Sequence, residues 1–201
     1  MPAVYIPKEM KIELPQLRVK YKDIFDMKTF YKTLQEWVLE YGWKAYDGSA
    51  HFETFYGERV GKGDVKEIWI RWRMKKKAVD APFTYFLDFD YHCIALISTE
   101  VIIDGKKIKA NKGEIDFNFQ ATIKEDYKEK MVKHSLLKYF LDLFSKRVYR
   151  PNVEQRKKEL YQEMYILQNF IKQWFKLKRY LPYEEVHSFQ DSYAFPSHLK
   201  T

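Results

Sequence analysis

The chain has 201 residues, a mass of 24.5 kDa and a formal charge of +8 at pH 7. With 46% hydrophobic and 32% charged residues it has a globular balance, which excludes wholesale disorder, and its seven Gly and seven Pro exclude collagen-like and low-complexity architectures. No apolar run approaches the roughly 18 residues of a membrane-spanning helix; the longest, Cys93 to Ile97, is strand-sized.

A chain of this length buries a core without staples. The single cysteine, Cys93, excludes an internal disulfide framework and a multi-cysteine zinc site. The start, Met1-Pro-Ala-Val-Tyr-Ile-Pro, has no charged residue followed by an apolar stretch, so a secretory leader is not expected. The expectation is a reducing, cytoplasmic setting, with a peripheral place at a membrane surface as the variant. The basic excess is uneven: residues 101–150 hold 12 basic against 7 acidic residues, whereas 51–100 hold 8 of each. Such an excess favours polyanionic partners, and it also serves solubility. Aromatic residues reach 18%, which suits a thick core, a ligand cavity or an adhesive surface.

In chain order, alternation in Met10-Lys-Ile-Glu-Leu and in Leu17-Arg-Val-Lys-Tyr predicts edge strand segments divided by Pro15. Asp26 is an N-cap for a helix over about 27–41, with Phe30, Leu34, Trp37 and Tyr41 at helical spacing and Gly42 as the stop. His51 to Val60 reads as extended, Gly61-Lys-Gly-Asp64 as a turn, and Val65 to Lys76 as a strand with Ile68, Ile70, Trp72 and Met74 on one face. Phe83 to Ser98 places Tyr85, Leu87, Phe89, Tyr91 and Cys93 on one face, and Asp104-Gly105 is a hairpin signal. Ile115, Phe117, Phe119, Ala121 and Ile123 then alternate with polar residues, giving one buried and one wet face.

Strands that follow one another without helices predict an antiparallel meander. Closing the hairpin near residue 79 sets Ile70 opposite Phe89, Trp72 opposite Leu87, Met74 opposite Tyr85 and Arg71 opposite Asp88, which pairs apolar with apolar and cation with anion. From about residue 127 the period becomes helical. Leu136, Phe140 and Leu143 form one stripe ending near Val148. Pro151 restarts the chain, and Leu160, Met164, Leu167, Ile171 and Trp174 form a second, longer stripe closed by Pro182. The tail from Tyr183 is loop-like, with Tyr183, Phe189, Tyr193 and Phe195 available for docking.

The fold class is therefore α+β: an antiparallel meander of about five to six strands, one helix before it and two long helices after it. Residues 1–150 form the meander with the first long helix. Residues 151–201 add the second long helix and an aromatic tail packed on the same domain. In its order of elements over about residues 8–148, the chain resembles the helix-grip family, in which a curved sheet wraps a long C-terminal helix. The resemblance implies an apolar ligand pocket between sheet and helix; the second long helix departs from it.

No catalytic motif stands out. Asp88, Asp90 and His92 project from one strand face and could ligate a metal, but Arg71 across the hairpin supplies a neutralising partner. Arg71, Arg73 and Lys75 beside Trp69 could clamp single-stranded nucleic acid, but the facing aspartates repel phosphate. Gly57 to Gly63 lacks the spacing and the Ser/Thr of a phosphate loop. Cys93 falls on the apolar face as an inert thiol.

The most suggestive segment is Lys172 to Leu181, where Lys172, Lys176, Lys178 and Arg179 interleave with Trp174, Phe175 and Tyr180. Cations beside boundary-seeking rings suit an RNA, an anionic membrane surface, a protein groove or a second copy of the chain; an amphipathic core helix whose last turn complements its dipole fits the same residues. The leading expectation is a non-enzymatic binding or assembly module using this segment, with no cofactor and no metal. The alternative is a helix-grip-like carrier or enzyme that holds an apolar small molecule. A metal hydrolase built on Asp88, Asp90 and His92 ranks below both.

Overall fold

Period-two alternation lays down the sheet. The computed structural model describes residues 6–49, 51–79, 81–103 and 106–176. Its strands are β1 (Lys11–Glu13), β2 (Leu17–Phe25), β3 (Lys44–Ala45), β4 (Glu53–Val60), β5 (Lys66–Lys77), β6 (Phe83–Ile103) and β7 (Lys106–Glu125). All pair antiparallel in one seven-stranded sheet, with β1 and β2 lying end to end along β7, then β6, β5, and finally β3 and β4 on β5. The buried face is the one the alternation selects: Ile68, Ile70, Trp72 and Met74 on β5; Leu87, Phe89, Tyr91 and Cys93 on β6; Ile115, Phe117, Phe119 and Ile123 on β7.

The β5–β6 register differs from the expectation by two residues. Ile70 faces Tyr91, Trp72 faces Phe89, Met74 faces Leu87, Arg71 faces Asp90 and Arg73 faces Asp88. The cause is the turn: Ala78 N donates to Phe83 O at 3.0 Å, so the strands close across a wider loop. A two-residue slip preserves both faces and the charge pairing, so pairing rules alone do not detect it. The β6–β7 hairpin closes between Ile103 and Lys106, where the Asp104-Gly105 signal points; those two residues lie outside the described ones.

Helix α1 (Met27–Glu40) starts where expected. Asp26 caps it by accepting from Thr29 N at 3.0 Å. Its stripe of Phe30, Leu34, Trp37 and Val38 is buried on the sheet's apolar face. On the C-terminal side the expectation of an unbroken first long helix fails. Helix α2 (Asp126–Lys133) is followed by a 3-10 turn (Leu137–Phe140), a single turn α3 (Leu141–Leu143) and a π-helical stretch (Phe144–Val148). Leu136, Phe140 and Leu143, read as an inward stripe, are 69%, 52% and 50% exposed. Inward anchoring comes instead from Leu141, Phe144 and Tyr149, whose ring stacks on Tyr127 at 3.9 Å.

The second long helix is α4 (Arg150–Trp174), about 38 Å long at about 1.5 Å per residue. Pro151 in its first turn suits a helix start. Leu160, Met164, Leu167 and Ile171 are buried in the same core as the sheet. So α4, rather than the segment before it, is the long helix that packs on the sheet, against β2 and β7. Pro182 and the aromatic tail lie outside the described residues.

A single carboxylate fastens α4 to the far side of the sheet. Glu163 accepts from Trp43 Nε1 at 2.7 Å and from Lys76 Nζ at 2.7 Å, and the Lys76 ammonium lies 4.9 Å from the Trp43 ring centroid. Removing this acceptor leaves a buried indole N–H unpaired and a largely buried ammonium with only the Tyr41 carbonyl, at 3.2 Å. Glu163→Ala is expected to cost about 2 kcal/mol, lowering the melting temperature by roughly 5 °C. Glu163→Gln keeps an acceptor and costs less. Urea unfolding of the three proteins checks the order.

Candidate functional site

The segment singled out by its cations and rings is largely internal. Phe175 is 6% exposed and stacks on Tyr21 at 4.4 Å, with Phe30 at 4.9 Å, Phe25 at 5.7 Å and Phe117 at 5.8 Å. Trp174 is half-buried, edge-on to Phe30 at 5.9 Å. The physical reason is spacing: Phe175 follows Ile171 by four residues and so continues the buried stripe at the helix cap. Phe175 is therefore core, as the amphipathic core-helix reading of this segment has it. Lys172 is half-buried and donates to Gln168 Oε1 at 3.2 Å, and Lys176 is exposed at a positive φ of 53°. Lys178, Arg179 and Tyr180 lie outside the described residues.

The outer face of the sheet disperses its candidate ligands into ion pairs. Arg73 lies 2.6 Å from Asp90 and 3.4 Å from Asp88, and Tyr46 donates to Asp88 at 3.2 Å. Burial pushes the Asp88 carboxyl up, against the pull of Arg73. His92 leaves this group altogether: its Nε2 meets Glu67 at 2.9 Å, and its ring stacks on Trp69 at 5.0 Å. Among the described residues no group of three or more His, Cys, Asp or Glu is arranged to hold a metal ion. Arg71 lies over Phe55 at 5.3 Å, so the expected cationic strip is spent on neighbours too.

A further concavity lies beside α1. A groove of about 550 Å³ runs between α1 and the inner ends of β4, β5 and β6. Met27, Ile68, Ile70 and Leu96 give it an apolar floor, and Lys28, Lys32, Glu53 and Lys66 a charged rim. A bulge builds part of that floor. Between Ile94 and Ile97 the β6–β7 register shifts, Ala95 takes a φ of 53°, and Leu96 turns inward to 4% exposure. Gly113 makes room for this on β7: a Cβ there would stand 3.0 Å from Leu96 Cα and 3.1 Å from Ala95 O.

Two tyrosines line the groove. Tyr31 donates to Glu53 Oε2 at 2.9 Å, and burial together with that carboxylate pushes its phenol up to about 12. Tyr56 donates to Glu58 Oε2 at 2.7 Å and is pushed up to about 12, first by burial and then by Glu58. Glu58 in turn bonds Lys66 at 2.8 Å, which holds its carboxyl below the usual range. Behind the Tyr31 ring stand two buried polar groups that lack a hydrogen-bond partner, Trp72 Nε1 and Tyr91 Oη. The Tyr31 ring meets Trp72 edge-on at 5.2 Å and lies 6.4 Å from the Tyr91 ring. Trp72 pulls the Tyr31 phenol slightly back down against burial and Glu53. Buried unpaired donors are uncommon and each calls for a reason.

Sequence reasoning missed this groove because α1's second face reads as solvated. The row Met27, Tyr31, Gln35 at four-residue spacing was the available signal. No family model, no curated protein and no solved structure matches the chain.

Cys93 is fully buried and its thiol is pushed up to about 12 by burial alone. The thiolate fraction at pH 8 is accordingly minute. Native protein is expected to react with a disulfide reagent at pH 8 at least about 100-fold more slowly than protein in denaturant. Comparable rates in a thiol-release assay would contradict the burial.

Proposed function

We propose that the chain is a binding protein for a small, mainly apolar molecule that carries a hydrogen-bond acceptor, held in the groove between α1 and strands β4–β6. The observation that carries this reading is the pairing of an apolar concavity with two unpartnered buried donors behind one tyrosine wall. The volume of about 550 Å³ falls in the range of about 300–1,000 Å³ typical of small-molecule sites. Met27, Ile68, Ile70 and Leu96 would cover the apolar body. An acceptor reaching past Tyr31 would satisfy Trp72 Nε1 and Tyr91 Oη, whose burial without partners costs about 1–3 kcal/mol each. The pocket implied by the helix-grip resemblance would thus lie beside α1, because Leu167, Ile171 and Phe175 fill the space under α4.

Contact with a polyanion through the end of α4 has weaker support. Phe175 is core and Trp174 half-buried, so among the described residues that end offers Lys172 and Lys176 with no fully exposed ring.

The test uses 1-anilinonaphthalene-8-sulfonate, which joins apolar rings to an acceptor group. Titration of the full chain is expected to give micromolar binding, and Ile68→Trp, which fills the floor, to weaken it at least about tenfold. Tyr91→Phe is expected to separate function from stability. Removing an unpartnered hydroxyl leaves stability unchanged or raises it by up to about 1 kcal/mol, while weakening the probe severalfold. Probe binding indifferent to both substitutions would reject the groove as the site.

A further inference from the structure

The stretch from Val132 to Arg150 presents apolar side chains that the fold does not use. Leu136, Phe140, Leu143 and Val148 are all exposed by half or more, with Val132 beside them. They follow one another along the broken connection between α2 and α4, in which Leu141, Phe144 and Tyr149 pack on the core. Monomeric proteins seldom expose a contiguous patch of this kind without a use for it. The same stretch holds five basic residues, Lys133, Lys138, Lys146, Arg147 and Arg150, against the single acid Asp142. Of these, Lys133 pairs with Glu129 at 2.9 Å, whereas Arg147 and Arg150 are exposed and make no ion pair with a described residue.

We propose that this apolar, cation-rimmed connection docks on an anionic lipid bilayer surface, with Leu136, Phe140 and Leu143 entering the headgroup boundary and Arg147 and Arg150 meeting lipid phosphates and carboxylates. Three features favour this occupant over the others. The exposed groups are mainly aliphatic, which suits an acyl boundary and offers little to stack on RNA bases. The backbone passes from a 3-10 turn through one α turn to a π-helical stretch, so it lacks the continuous helical stripe that a protein groove reads. A second copy docked by two-fold symmetry would set the same cationic rim against itself. An anionic surface is complementary to both halves of the patch. Docking here needs no spanning segment, and among the described residues no helix is long and apolar enough to cross a membrane.

The test is co-sedimentation of the full chain with vesicles of about three parts phosphatidylserine to seven of phosphatidylcholine, with pure phosphatidylcholine vesicles and a polyuridine RNA in parallel. Binding to the anionic vesicles is expected at about 50 mM salt, much weaker at about 500 mM, and at least tenfold weaker on neutral vesicles. The triple variant Leu136→Ser, Phe140→Ser, Leu143→Ser is expected to lose at least about tenfold in partition. Arg147→Glu with Arg150→Glu is expected to lose at least as much, since each cation near such a surface is worth roughly fivefold. All five side chains are exposed, so both variants should keep the parent's circular dichroism; the charge pair carries the test should the triple variant fold poorly. Absence of vesicle binding by the parent chain overturns the proposal. So does equal binding by both variants, RNA binding that outcompetes the vesicles, or a parent dimer that both variants dissolve.

Discussion

Three rings meet where α1 and α4 share one face of the sheet. Phe30 on α1, Phe117 on β7 and Phe175 at the end of α4 lie within 4.9–5.8 Å of one another, and none is more than 6% exposed. Aromatic groups bury the most area per residue and prefer such tilted contacts, so this junction fixes the spacing of both helices over the sheet. Much else is a consequence. With α4 seated over β2 and β7, the space beneath it is filled. Over β4 and the adjoining part of β5 the cover comes from α1, and the concavity opens between α1 and β4. Beyond α2 the connection to α4 runs along the edge of the core, held to it by Leu141, Phe144 and Tyr149.

The division of labour between the two sheet faces is equally physical. The inner face is a continuous aromatic and aliphatic layer, whereas the outer face carries opposite charges side by side, Arg73 between Asp88 and Asp90 and Arg18 with Asp116, with the His92 ring hydrogen-bonded to Glu67. Charges set across neighbouring strands satisfy one another in the sheet. What looks like chemistry along a single strand is mutual neutralisation once its neighbour is beside it.

Much of this was legible in the sequence. Strict alternation along Val65 to Lys76 and Ile115 to Ile123 identified the buried face residue by residue, and Asp26 announced α1 through its cap. What escaped detection depended on information that is not periodic. Turn width decided the β5–β6 register, and a wider loop moved it by two positions without disturbing any pairing preference. The stripe of Leu136, Phe140 and Leu143 has a core helix's spacing, yet whether a stripe faces in depends on where its helix is seated. That seat is held by α4, through Leu160, Met164, Leu167 and Ile171. Phe175 reads as a surface ring beside lysines and becomes core because its spacing extends that stripe. The groove escaped notice in part because a bulge brings Leu96 and Ser98 to it, and no motif in one strand reveals which residue its partner strand will displace.

That bulge also governs the mouth of the groove. Up to Cys93 the odd-numbered residues of β6 face inward; beyond Ala95 and Leu96 the parity reverses, and Ser98, opposite Asn111, lines the opening while Ile97 is turned to solvent. The polarity of the entrance is thus written in the count of residues rather than in their identity. A lineage that lost or gained one position there would exchange a hydroxyl for an isoleucine at the threshold without altering a single side chain, so discrimination among entering molecules could change by deletion as readily as by substitution.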